Sequence, residues 1–176
     1  RNLASFEDYA SKIADFELAG KPTYFPFGVA PDFMDARINV LWADGPGTIL
    51  PDTTYYADEH PQKDKLLKKW REASEALLQK FEFSAEEIQD LLDKVLELDA
   101  RIAEVVLSRE ESSEYAKLYH PYKWEDFKAL APNLPLDAIF TRLIGQIPDQ
   151  IIVPEERFWQ AADQFYCEET WPLLKA

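Results

Sequence analysis

Ser84-Ala-Glu-Glu-Ile-Gln-Asp-Leu-Leu-Asp-Lys-Val-Leu-Glu-Leu98 decides the fold class. Ser84 and Glu87 have the spacing of a capping box, in which each side chain satisfies the other's backbone donor at a helix start. Ile88, Leu91, Leu92, Val95, Leu98, Ile102 and Val105 then hold the helical period to about Leu107. Upstream, Pro61 suits a first helical turn, and Leu66, Leu67, Trp70, Ala73, Leu77, Leu78 and Phe81 mark a second apolar stripe. So short a link between two long helices predicts an antiparallel hairpin. Leu77 and Leu92 sit at the centres of their stripes, and both are expected to be buried.

The flanks are also mainly helical. Ser5 caps a pattern running from Phe6 to Ala19, with Phe6, Tyr9, Ile13 and Phe16 at helical spacing and a stop at Gly20-Lys21-Pro22. Trp124 to Leu130, Leu136 to Ile144 (ended by Gly145) and Glu155 to Phe165 read as shorter helices, and Thr170 to Leu174 as the start of another. Tyr24 to Ala30 and Ala36 to Trp42 alternate instead, which predicts two short antiparallel strands, with Pro26 tolerated only on an edge. Leu118 to Tyr122 reads as a turn, and Gln150 to Val153 as a short buried strand or an extended connector. The fold class is therefore mainly α: a single helical domain over residues 1–176 with one small antiparallel β-hairpin.

Composition limits the function. With 176 residues, 47% of them hydrophobic, the chain can build a core. A net charge of −14 repels phosphate and anionic lipid, so neither nucleic acid nor membrane is an expected partner. The one basic cluster, Lys63, Lys65, Lys68, Lys69 and Arg71, reads as a solvated helix face. Glu86-Glu87, Glu110-Glu111 and Glu168-Glu169 read likewise. Gly45-Pro-Gly47 is too short for a phosphate loop and lacks its lysine.

Candidate reactive residues are few. His60 and His120 are the only histidines and lie far apart in sequence, whereas a zinc site needs three or four converging ligands. His60 reads as a helix-start residue and His120 as a turn or packing residue. Cys167, the single cysteine, has no base beside it and cannot form an internal disulfide. The chain opens at Arg1, already within two residues of a periodic segment, and ends at Trp171-Pro-Leu-Leu-Lys-Ala176. Excision from a longer chain is the expectation at both ends. Such a piece should expose apolar surface and self-associate, with Trp171, Leu173 and Leu174 the expected carriers and Phe25 and Phe27 next.

Leu50-Pro-Asp-x-x-Tyr-Tyr56, behind the glycines at 45 and 47, resembles the GLGLPD-x-x-YY signature of the neprilysin-like zinc metallopeptidases, the family of neprilysin and bacterial oligopeptidase O. Thr48, Ile49 and Thr54 depart from it. Phe27-Gly-Val with Pro31-Asp32 is similar to the family's FGVSPD strand and turn. Glu97-Leu-Asp99 to Ala103 is similar to its LE-x-x-LA helix, with Asp99 in place of Glu. Arg109, Tyr115 and Tyr119-His-Pro resemble its Arg-to-Tyr-Asn-Pro passage, with His120 for Asn. Leu130-Ala-Pro-Asn133 and Ile151-Ile-Val153 follow in the family's order.

The resemblance implies a parent that is a zinc-dependent endopeptidase acting on short peptides, built as two mainly helical lobes around a closed cavity. This piece would belong to the N-terminal, cavity-roofing lobe, with the catalytic lobe of the same chain as its partner. No catalytic, zinc-binding or substrate-anchoring residue of the family falls on these positions. The fragment alone is therefore expected to be inactive and to bind no zinc. The family's animal members are disulfide-bonded ectodomains, so the low cysteine count points to a bacterial cytoplasmic oligopeptidase. The other reading is a stand-alone acidic helical module whose aromatic stripes bind a partner helix. A downstream His-Glu-x-x-His in the reading frame separates the two.

Overall fold

The computed structural model describes residues 3–21 and 23–176; Arg1 and Pro22, both used above, lie outside the described residues. Along the chain run α1 (Phe6–Ala10), α2 (Ile13–Leu18), β1 (Phe27–Pro31), β2 (Asn39–Ala43), a 3-10 turn at Thr53–Tyr56, α3 (Lys63–Leu78) and α4 (Ala85–Ala103). Then come α5 (Arg109–Ser112), a second 3-10 turn at Tyr115–Lys117, β3 (Pro121–Lys123), α6 (Trp124–Lys128) and α7 (Leu136–Ile144). β4 (Gln150–Ile152), α8 (Glu156–Gln160), α9 (Ala162–Phe165) and α10 (Trp171–Leu174) complete it. The mainly α class holds. The chain divides into two compact units, one of Arg1–Pro46 with Glu114–Trp171, the other of Gly47–Ser113 with Pro172–Ala176.

In the first unit the expected hairpin is half of a four-stranded sheet, ordered β1-β2-β4-β3. β1 and β2 are antiparallel with Val29 opposite Leu41, but both strands start about three residues later than the alternation suggested. β4 adds parallel to β2 at Trp42 and Ile152, and β3 closes the other edge antiparallel to β4. The expected turn at Leu118 to Tyr122 therefore runs into a strand. Pro121 is accommodated because β3 is an edge.

Both faces of the sheet are covered: Val40, Trp42 and Ile152 are buried on one, and the larger aromatic cluster fills the other. Phe27 meets Phe140 and Trp159 at 5.0 Å and Phe127 at 6.0 Å. Trp159, fully buried, donates its indole N–H to the carbonyls of Ala43 (3.2 Å) and Asp44 (3.0 Å), fixing the end of β2 on α8. Trp124 donates to Asp137 at 2.6 Å and Lys128 reaches the same carboxylate at 2.7 Å, tying α6 to the first turn of α7. Gly145 ends α7 with φ +79°, where a side chain would be strained. The first expected helix is two: Ser11 Oγ bonds the carbonyl of Asp8 (2.9 Å), and such side-chain bonding competes with the helical ladder.

The second unit holds the long helices. Arg71 on α3 bonds Asp93 (2.7 Å) and Gln89 (2.6 Å) on α4, the cross-links of an antiparallel pair. The stripes differ from expectation. Leu92 is 1% exposed, with Ile88, Leu98 and Ile102 buried beside it, whereas α3 buries no residue and Leu77 is 56% exposed. α4 is the core element of this unit, and α3 lends it only one flank. Ser108 and Glu111 form a second capping box that opens α5, so Glu111, read above only as part of a solvated face, also caps a helix.

The expected carriers of exposed apolar surface need correction. Trp171, Leu173 and Phe25 are buried, and Phe27 and Leu174 are partly buried. Phe33, Met34, Leu77, Phe81 and Tyr115 are exposed instead.

Candidate functional site

The stretch from Gly45 to Tyr56 is held by close approach and by two carboxylates. Gly45 has no left-handed backbone; a Cβ there would lie 2.7 Å from Cγ of Glu155, so any side chain would have to displace that of Glu155. Asp52 caps the following 3-10 turn: its Oδ1 accepts from the N–H (2.9 Å) and hydroxyl (2.5 Å) of Thr54. Its Oδ2 accepts the Arg109 backbone N–H at 2.6 Å. The Thr54 hydroxyl, then the Arg109 and Thr54 N–H groups, hold the Asp52 carboxyl below the usual carboxylate range.

Asp99 is the second carboxylate. It sits on the buried face of α4, 5% exposed, in line with Ile88, Leu92 and Ile102. Its Oδ1 accepts the Ile49 N–H at 2.7 Å and its Oδ2 accepts the Tyr56 hydroxyl. That hydroxyl in turn accepts the Leu50 N–H at 3.1 Å. Burial pushes the Asp99 carboxyl up, offset in part by its two donors, and pushes the Tyr56 phenol far above its ordinary value. A pocket of about 510 Å³ opens beside the pair, lined also by Leu67, Leu96 and Lys63. Lys63 Nζ is bound to the Tyr56 carbonyl (2.7 Å) and Asp58 (2.8 Å).

This geometry is a latch. Both Asp99 oxygens accept hydrogen bonds, and the phenol proton is committed to them. The Leu-Pro-Asp-x-x-Tyr-Tyr stretch is thus fastened to the two other quoted motifs in its unit, the Glu97-Leu-Asp99 helix and Arg109. The first unit repeats the arrangement. Tyr119 donates to the buried Asp32 carboxylate at 3.1 Å, joining Pro31-Asp32 to Tyr119-His-Pro. The Val153 N–H donates to the His120 carbonyl at 2.9 Å, joining Tyr119-His-Pro to Ile151-Ile-Val153.

The other candidates are accounted for one by one. His60 packs against Tyr55 with ring centroids 4.1 Å apart and the planes tilted by 36°. His120 Nδ1 lies 3.3 Å from the Val153 carbonyl and 3.8 Å from Glu156, and the Tyr122 hydroxyl also donates to Glu156. Cys167 Sγ lies 3.4 Å from the Thr170 hydroxyl. Among the described residues, no group of three or more His, Cys, Asp or Glu is placed to hold a metal. The described residues therefore do not fit zinc. Among them, too, no helix is long and apolar enough to cross a membrane.

Sequence reasoning missed the roles of Asp99 and Asp32. The signal for Asp99 was available: it falls at a core position of the α4 period, seven residues after Leu92, and a carboxylate there needs donors.

The fold and the linked motifs are those of one protein family. The model of peptidase family M13, for its N-terminal part, matches residues 2–176, and the chain belongs to that family. A protein of Streptococcus gordonii described as a zinc metalloproteinase in the scaA 5′ region is 78% identical over all 176 residues, which are 31% of its length. A neutral endopeptidase of Lactococcus lactis subsp. cremoris is 37% identical over 175 residues, 99% of this chain and 28% of that protein. Among solved structures, PepO of Lactobacillus rhamnosis matches 98% of the chain with TM-score 0.85 at 20% identity, over 28% of its own length. Zinc metalloprotease Zmp1 of Mycobacterium tuberculosis, in complex with an inhibitor, matches 98% of the chain with TM-score 0.80 at 14% identity, over 27% of its own length. The likeness to both shows the fold. The chain spans less than a third of the length of these relatives.

Proposed function

We propose that this chain is part of the non-catalytic, cavity-enclosing lobe of a zinc-dependent endopeptidase that hydrolyses short peptides. The M13 match over residues 2–176 carries the reading. It is supported by the 78% identity to a protein described as a zinc metalloproteinase. The zinc ligands and the general base belong to the catalytic lobe, elsewhere in the same parent chain. The role of these residues is architectural: buried carboxylates fasten loops so that a wall of the cavity keeps its shape. Separated from that lobe, the segment self-associates through its exposed apolar side chains.

The test uses the full natural chain that carries this segment and a short quenched-fluorescence peptide. Hydrolysis that is lost with a chelator and restored by Zn²⁺ is the expected result; a folded full chain that leaves the peptide intact overturns the reading. The 176-residue chain alone is expected to cleave nothing and to bind no Zn²⁺ one-to-one. Tight stoichiometric binding in a chelator-competition titration would place ligands here after all.

A further inference from the structure

β1 is an outer strand of its sheet, and the alternation of its hydrogen bonds shows which groups face outward. The Asp44 N–H reaches the Pro26 carbonyl (2.8 Å) and the Asp32 N–H reaches the Ile38 carbonyl (3.0 Å) at the two ends of the ladder. In that register Gly28 and Ala30 bond β2, and Val29 turns its N–H and C=O to the open edge. The N–H of Phe27, also outward, is taken by the Phe25 carbonyl at 2.9 Å, and Pro31 has none. Val29 is therefore the one residue of β1 that presents an outward donor and acceptor together.

The surroundings suit an added strand. Phe27-Gly-Val-Ala-Pro31 has no charged residue, the usual guard of a sheet edge, and within it only Pro31 limits pairing. A Cβ on Gly28 would meet nothing within 4 Å. Val29, 65% exposed, borders a pocket of about 360 Å³ with the exposed Ile38 and Ile144. Asp149 is the only charged residue lining that pocket.

We propose that the open edge of β1, centred on Val29, docks a basic peptide in extended conformation as an added strand, with one of its apolar side chains in the pocket bounded by Val29, Ile38 and Ile144. An extended backbone supplies a donor and an acceptor at the spacing Val29 offers. Asp149 and the −14 charge of the chain favour a cationic partner. The same charge opposes a second copy of this chain. The proposal stands apart from the peptidase reading, since docking is read at equilibrium without turnover.

The experiment uses the full natural chain and a labelled peptide of alternating Val and Lys, its integrity checked by mass. Two further peptides carry backbone N-methyl groups on every Val or on every Lys. When the peptide runs antiparallel to β1, the Val N–H groups face β1 with Val in the pocket, and the Lys N–H groups face away. Methylation at Val should weaken binding about tenfold or more, and methylation at Lys about twofold at most. Val29→Pro removes the outward N–H and leaves the β2 ladder intact, so it should match the first loss, while Val29→Thr should bind within about twofold of the parent. The plain peptide should slow hydrogen exchange at the Val29 amide.

Should Val29→Pro fail to fold, the methylated peptides and the exchange experiment decide. Equal binding of all three peptides reduces the effect to charge and overturns the proposal, as does no binding at millimolar peptide. A Val29 amide protected before peptide is added means that the rest of the chain covers the edge. Protection that rises with protein concentration means a second copy does. Either result also overturns it.

Discussion

Tyr56 donates its phenolic hydrogen bond to Asp99, forty-three residues later and on a different element, with no cation paired to that carboxylate among the described residues. The pair closes the loop that begins at Ile49. Asp99→Ala would leave the Ile49 N–H and the Tyr56 hydroxyl without their acceptor. Stability should fall by about 1–3 kcal/mol in urea melts, with Tyr56→Phe losing a similar amount. If both variants melt with the parent, the latch is not a stabilising element.

Two aspartates should give opposite pH signatures. Asp99 holds its proton more tightly folded than unfolded, so its contribution is greatest at low pH and declines as pH rises above about 4. Asp52 holds its proton less tightly folded, so its contribution is complete above about pH 4 and is lost as pH falls through its lowered value. Asp99→Asn should flatten the first dependence and Asp52→Asn the second, read from melts across an acid pH series. Unchanged slopes in both variants would remove the linkage.

The two long helices should respond unequally. Leu92→Ala opens a cavity in the core of its unit and should cost roughly 2–5 kcal/mol. Leu77→Ala, at an exposed site on α3, should stay within about 0.5 kcal/mol of the parent. Equal losses would mean that α3 is buried in solution.

The separated 176-residue chain should self-associate, and more strongly in high salt, where its charge repulsion is screened. Phe33→Ser with Met34→Ser, and separately Leu77→Ser with Phe81→Ser, should weaken the association. Sedimentation equilibrium at low and high salt measures it; a monomer under both conditions rejects the idea.

Much of this fold was legible in the sequence where local chemistry alone sets an element. The Ser84 box starts α4, and Gly145 stops α7 at the expected residue. Legibility failed where a distant partner decides. β3 has three residues and begins at the proline of a His-Pro that reads as a turn, and it exists because β4 pairs with it. The α3 stripe has the period of a core helix, but periodicity records which residues share a face, not whether anything covers it. The motif residues were visible one at a time. Their pairing across forty-three residues in one unit and eighty-seven in the other was not, because spacing along the chain carries no trace of it.

The parallel pairing of β2 with β4 also sets a timetable for synthesis. About a hundred residues separate the end of β2 from the start of β4. A ribosome adding about 5–20 residues per second takes roughly 5–20 s to cover them. Through that interval the nascent β1-β2 ribbon has neither its inner neighbour nor Trp159 to seat Ala43, while Gly47–Ser113, the larger part of the second unit, emerges whole. The ribbon, made before its partner strand, would be among the last parts to settle, and the exit tunnel would present a sticky edge to chaperones for seconds at a time.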